Sequence, residues 1–160
     1  MKQTERDQLE QAANLFLEKT KLPCPVTMDD LSKAVTQFGG ELCVADSYTR
    51  TPLAWILEDK DQRFLLMTNQ KDNGCVVHAL ARLFAHFAQE EQQKPDTDSF
   101  VEQERYLFVA SCVCMPRSKL TECVKQNQHL PEQEQLQKAA EAFQVPEDIA
   151  YRQMERMGLL

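Results

Sequence analysis

Apolar side chains recur at three- and four-residue steps along most of the chain, the period of helices that bury one face. Across residues 5–19 the repeating positions are Leu9, Ala12, Ala13, Phe16 and Leu17. Leu22-Pro23-Cys24-Pro25 breaks that helix. Thr27 stands ahead of Asp29 and Asp30, which predicts a helix start with a hydroxyl cap and an acidic first turn. Met28, Leu31, Ala34, Val35 and Phe38 supply the buried face of this second helix, and Gly39-Gly40 ends it.

The pattern then changes to three short β-type segments at 41–45, 53–58 and 64–68, the last two separated by a polar turn at 59–63. A small three-stranded antiparallel sheet is the economical reading. Polar residues 69–74 lead into an apolar helix over 74–87, with Asp72 or Asn73 as its candidate cap. Residues 89–98 are polar and predict an exposed loop. Helices follow at 100–115, stopped by Pro116, then at 118–125, 132–143 and 147–157, with Gly158 as the final stop. No internal repeat or linker divides residues 1–160, so one α+β domain, mostly helical, is expected.

Composition narrows the function. A chain of 160 residues buries roughly two thirds of its unfolded surface. The net charge of -7 and a pI near 5.0 disfavour a sequence-independent grip on nucleic acid, which needs basic groups to release counterions. No apolar run reaches the ~18 residues of a membrane span. Met1-Lys2-Gln3-Thr4-Glu5-Arg6-Asp7 lacks the apolar region of a signal peptide. A cytoplasmic protein is the expectation, and its six cysteines then read as reduced, mostly buried thiols rather than disulfides.

The candidate chemistry lies on the 74–87 helix, where His78, Arg82 and His86 recur every four residues among Val, Leu, Ala and Phe. Two histidines at i and i+4 on a helix, with a Glu after the first, form a zinc-hydrolase signature: the imidazoles bind the metal and the Glu takes a proton from its water. Here the stretch reads His78-Ala79-Leu80-Ala81-Arg82. Taken alone, a His on an apolar helix is ordinarily a packed residue with one satisfied nitrogen. Cys75-x-x-His78 and Cys112-x-Cys114 have no diagnostic spacing for a thiolate site, since residues two apart on a helix point about 200° apart. Ser111 lies inside a helix rather than on a nucleophile turn, and four glycines form no phosphate loop.

Three stretches together resemble the ImmA/IrrE family of zincin-like metallopeptidases. His78-Ala79-Leu80-Ala81-Arg82-Leu83-Phe84-Ala85-His86 sits where the family has H-E-L-G-H-x-x-x-H. Ala110-Ser111-Cys112-Val113-Cys114-Met115-Pro116 resembles its F-A-x-x-L-L-M-P ending. Phe143-Gln144-Val145-Pro146 with the close at Gly158-Leu159-Leu160 resembles F-x-V-S followed by a helix ending R-L-x-x-L-G-L. The resemblance implies a zincin-like α+β fold, with the sheet between the second helix and the metal-site helix.

It also implies a site of two His and a carboxylate on the following helix, acting on helix-turn-helix repressors. Of the ligands only His78 is retained on the metal helix. Ala79 replaces the general base and Arg82 the second ligand, while Glu102 and Glu104 both stand near the carboxylate position, in a register slipped by one or two residues. An alanine accepts no proton, and a guanidinium has no lone pair for a metal.

The expectation is a catalytically inactive metallopeptidase-like protein that binds a helix-turn-helix regulator through the former substrate groove, with no cofactor. Arg82 would pair with Glu102 or Glu104 in the metal's place. The alternative is an atypical zinc metallopeptidase, phage or mobile-element encoded, built on His78 and one of those glutamates. A third reading takes the last two helices as a DNA-binding pair. The acidic balance opposes it, and Glu147, Asp148 and Glu155 beside Arg152 and Arg156 point to packing.

Overall fold

The third helix places Val76, Val77, Ala79, Leu80 and Leu83 in the interior, each at most 1% exposed. Each such Val or Leu contributes about 1.5–3 kcal/mol of burial, which makes this helix the centre of the core. The computed structural model describes residues 1–45, 54–58, 63–68, 73–92 and 100–160, without the side chains of 89–92, 100 and 101.

In chain order the described elements are α1 (Gln3–Thr20), α2 (Met28–Gln37), β1 (Gly40–Val44), β2 (Ala54–Glu58), β3 (Phe64–Thr68), α3 (Val76–Gln92), α4 (Phe100–Cys114), α5 (Arg117–Gln126), α6 (Glu132–Phe143) and α7 (Glu147–Arg156). A single 3₁₀ turn, Asn73–Cys75, leads into α3. Helix α4 packs against both α3 and α1, the sheet rests on α3, and α7 pairs with α6 and touches α4.

Local signals in the sequence act as expected at several helix ends. The Asp30 amide donates to Thr27 Oγ1 at 3.2 Å and the Thr27 amide donates to Asp30 Oδ2 at 3.0 Å, a reciprocal capping box. At the end of α7, Gly158 takes a φ of +69°, free of the Cβ clash other residues meet there, and the Leu159 amide reaches the Met154 carbonyl at 2.9 Å. A chain of rings joins the layers: Phe16 of α1 meets Phe84 of α3 at 4.8 Å between centroids, and Phe38 meets Phe87 at 5.0 Å.

The sheet differs from the antiparallel expectation. Its order is β1-β3-β2, with β2 and β3 antiparallel but β1 and β3 parallel, so it is mixed. The last strand to form in sequence takes the centre because it has the most to bury: Phe64, Leu66 and Thr68 of β3 are all buried. Gly40 is the parallel partner of Phe64, and the Phe64 ring occupies the space a side chain at position 40 would need. The expected first residue of the second strand, Leu53, and most of the 59–63 turn lie outside the described residues.

Two further expectations change. α3 continues to Gln92, five residues beyond Phe87, because Gln and Glu sustain a helix without needing burial; the rest of the expected loop, from 93 on, lies outside the described residues. Asn73 turns its side chain away from α3. Its Oδ1 accepts from the Met28 amide at 3.0 Å and its amide donates to Gln144 Oε1, tying the start of α2 to the end of α6.

Candidate functional site

The four-residue spacing of His78, Arg82 and His86 does not keep them on one functional face. Each step of four leaves about 40° of rotation, so the stripe turns by about 80° over the pair of steps. His86 ends up against the sheet, 5% exposed, 4.8 Å from the Phe64 ring and with Nδ1 3.7 Å from Glu58 Oε1. His78, two turns earlier, is half-buried at the other end. Burial pushes its pKa down, while the Asp148 carboxylate of α7 pulls the other way. Asp148 was not among the expected site residues, and no local pattern marks it, since it reads as an ordinary acidic residue in the first turn of a helix.

Between the two histidines the helix is committed to packing. Ala79 is 0% exposed, inside the main cluster of apolar side chains with Leu80, Leu83 and Phe108. Arg82 is half-buried and makes no ion pair among the described residues.

The two candidate carboxylates sit on the first turns of α4 and are engaged elsewhere. Glu102 Oε1 lies 3.1 Å from Arg105 Nη1 one turn on, and Glu102 also bonds the Tyr106 hydroxyl, whose pKa is raised chiefly by burial and further by that carboxylate. Glu104 receives Arg152 Nη1 at 3.2 Å on Oε1 and Arg156 Nη2 at 2.9 Å on Oε2, both from α7. Arg105 Nε approaches Glu5 Oε1 of α1 at 2.6 Å. The expected pair of Arg82 with Glu102 or Glu104 is therefore replaced by a network that ties α4 to α1 and α7. Arg152 and Arg156 serve packing of α7 on α4, the role read for them from their acidic neighbours.

None of the six cysteines, all among the described residues, forms a disulfide. Cys75, Cys112 and Cys114 are buried as expected, whereas Cys24 is exposed. Cys112 and Cys114 point to different sides of α4, yet both are buried because the end of that helix is enclosed all round, from Phe108 to Met115. Burial raises the Cys112 thiol to about 11 and the Cys114 thiol to about 12. Thiols held neutral in this way are poor nucleophiles and poor metal ligands. Gln153, itself fully buried, donates from Nε2 to Cys112 Sγ at 3.3 Å. Ser111 Oγ donates back to the Leu107 carbonyl at 2.7 Å, so its hydroxyl is used within the helix.

This donor set does not fit the zinc site that the resemblance implies. Catalytic zinc takes three protein ligands and an open position. Of the residues at those places on α3, His78 alone has a lone pair to offer, and both glutamates of α4 are engaged by arginines. No group of three or more His, Cys, Asp or Glu side chains converges among the described residues.

Comparison with known proteins agrees with the likeness in the motifs. The family model for peptidase M78, described as the IrrE N-terminal-like domain, matches residues 72–155, from just before α3 to the last turn of α7. Searches of curated proteins and of solved structures give no match. Among the described residues no helix is long and apolar enough to cross a membrane. The matched span covers more than half the chain and holds both helices that carry the motif positions, and on that ground the chain belongs to the ImmA/IrrE family of metallopeptidase-like proteins.

Proposed function

We propose that this protein is a catalytically inactive relative of the metallopeptidases that binds a regulatory protein of the helix-turn-helix repressor type through the former substrate groove. The burial of Ala79 carries this reading: the place of the proton acceptor is filled by a methyl group at 0% exposure, so no nearby side chain takes over the role from that face. Loss of a positioned general base alone costs a factor of about 10²–10⁴ in rate. The Arg82 guanidinium adds a repulsive charge where a cation would bind.

Binding needs only surface. Both β1 and β2 are edges of the described sheet and carry exposed apolar side chains, Val44 at 46% and Leu57 at 48%. An edge strand offers backbone donors and acceptors to an extended segment of a partner.

The test combines the purified protein with a helix-turn-helix regulator encoded beside it and follows complex formation, integrity of the regulator and bound zinc. The expected result is a stable complex with the regulator intact, with or without added Zn²⁺ or Mn²⁺. Stoichiometric, tightly held zinc together with cleavage abolished by His78→Ala would establish the alternative, an atypical peptidase. That alternative draws on one observation, the burial that keeps His78 neutral and its lone pair available.

A further inference from the structure

The arginines that hold Glu104 border a cavity of their own. Between the N-terminal end of α1, the start of α4 and the end of α7 lies a space of about 460 Å³, within the range of small-molecule sites. Arg6, Arg105, Arg152 and Arg156 line it, and these four guanidinium groups outnumber the three carboxylates there, Glu5, Glu104 and Glu155. Such a local excess of positive charge stands out on a chain whose net charge is -7.

The ion pairs orient the guanidinium groups without using them up. Each has five N–H donors. Glu104 takes one from Arg152 and one from Arg156, through Nη1 and Nη2 respectively. Arg156 is further fixed by stacking 5.2 Å over the Phe108 ring. Arg105 is held by Glu5 and Glu102. Arg6 is the uncommitted member: its Nε is buried and has no hydrogen-bond partner among the described residues. A buried donor without an acceptor is costly and uncommon in folded proteins. Burial, together with the nearby Arg152 and Arg6 charges, lowers the Arg156 pKa, with Glu104 opposing, as expected where cations crowd one space.

We infer that this cavity is a binding site for a phosphoryl oxyanion, either inorganic phosphate or the phosphate group of a small metabolite, received by Arg6 with the free N–H groups of Arg105, Arg152 and Arg156. Guanidinium forks match phosphate oxygens in pairs, and a single anionic head offsets the surplus charge. The concave shape and the acidic remainder of the chain select a small anion over a nucleic-acid strand. This inference is independent of whether the former metal site is active.

The experiment is calorimetric titration of the full chain with inorganic phosphate and with ribose 5-phosphate, using sodium chloride at matched ionic strength and succinate as comparators. Saturable phosphate binding that chloride does not reproduce is expected. Tighter binding of ribose 5-phosphate than of phosphate identifies a phosphorylated metabolite as the source, and equal binding identifies free phosphate. Arg6→Gln weakens either by about tenfold or more, the scale of one charged hydrogen bond. Arg152→Gln, on a half-exposed side chain, gives a second reading if the first variant does not fold, with circular dichroism reporting the fold of both. The inference is overturned by absence of saturable binding, by binding unaffected in a folded arginine variant, or by succinate binding more tightly than phosphate.

Discussion

The first turns of α3 and of α4 stand, in the metallopeptidase pattern, for the two halves of one metal centre, and in this chain they have become opposites. The α3 half is apolar and closed: Ala79 is sealed in the core, and Val76, Val77 and Leu80 surround it along the helix. The α4 half is charged and crowded, with Glu102, Glu104 and Arg105 paired along α4 or to α1 and α7. On the proposed reading, in which the metal is lost, the difference follows from how the two kinds of ligand behave without a cation. Carboxylates that lose their cation still need positive charge nearby, because leaving one partly buried and unpaired is expensive. Arg105 of the same helix supplies it for Glu102, and Arg152 and Arg156 of α7 supply it for Glu104. An imidazole is neutral without its metal and needs no such replacement, so His78 simply settles at the edge of the core.

The largest break in this contrast comes from forcing charge into the apolar half. Ala79→Glu places a carboxylate in a position with no exposure, and about 3 kcal/mol or more of stability is lost, a fall of roughly 6–12 °C in Tm for a chain of this size. Thermal denaturation checks it. A variant that keeps its Tm and gains zinc would show that the α3 half retains room for the old chemistry.

Removing charge from the α4 half has a smaller effect. Glu104→Gln loses the partner of Arg152 and Arg156 together, and since Arg156 is 16% exposed but Arg152 is 47% exposed, the expected cost is about 1–2 kcal/mol. Urea denaturation of this variant, Arg156→Gln and the double variant measures the coupling. Additive losses would mean the pair is a surface coincidence.

His78 sharpens the contrast through pH. Its folded pKa lies below the ordinary 6.5, so the unfolded chain binds the extra proton first as pH falls. The stability that neutral His78 provides is complete above about pH 6.5 and is lost as pH falls through the lowered folded value. Comparing stability between pH 7 and 5 for the natural chain and His78→Gln should show a shallower acid loss in the variant. An identical slope would place the acid sensitivity elsewhere.

Arg82→Gln should change least, within about 0.5 kcal/mol, because Arg82 has no ion pair among the described residues. A loss above about 1.5 kcal/mol in the same denaturation assay would reveal a buried partner for the guanidinium.

Much of the fold was legible because the signals were local. The capping box at Thr27 and Asp30 lies within four residues, the stop at Gly158 within one turn, and the apolar face of α3 within two turns. The sheet was not, because its order depends on a competition between strands: β3 displaces β1 from β2 by burying Phe64, Leu66 and Thr68 at the centre. Asn73 was misplaced for a similar reason. As a cap candidate beside its own helix it was reasonable, but its side chain serves Met28 and Gln144, 45 and 71 residues away in sequence.

The candidate site divides the same way. From the sequence alone it followed that position 79 has no proton acceptor and position 82 no lone pair, since those are properties of alanine and arginine in any fold. Only the tertiary structure decided what surrounds these groups: His78 in the field of Asp148, His86 on Phe64, and Glu104 with arginines 48 and 52 residues further along the chain. Bonding capacity belongs to the residue, whereas partnership is set by which helices the buried apolar faces bring side by side.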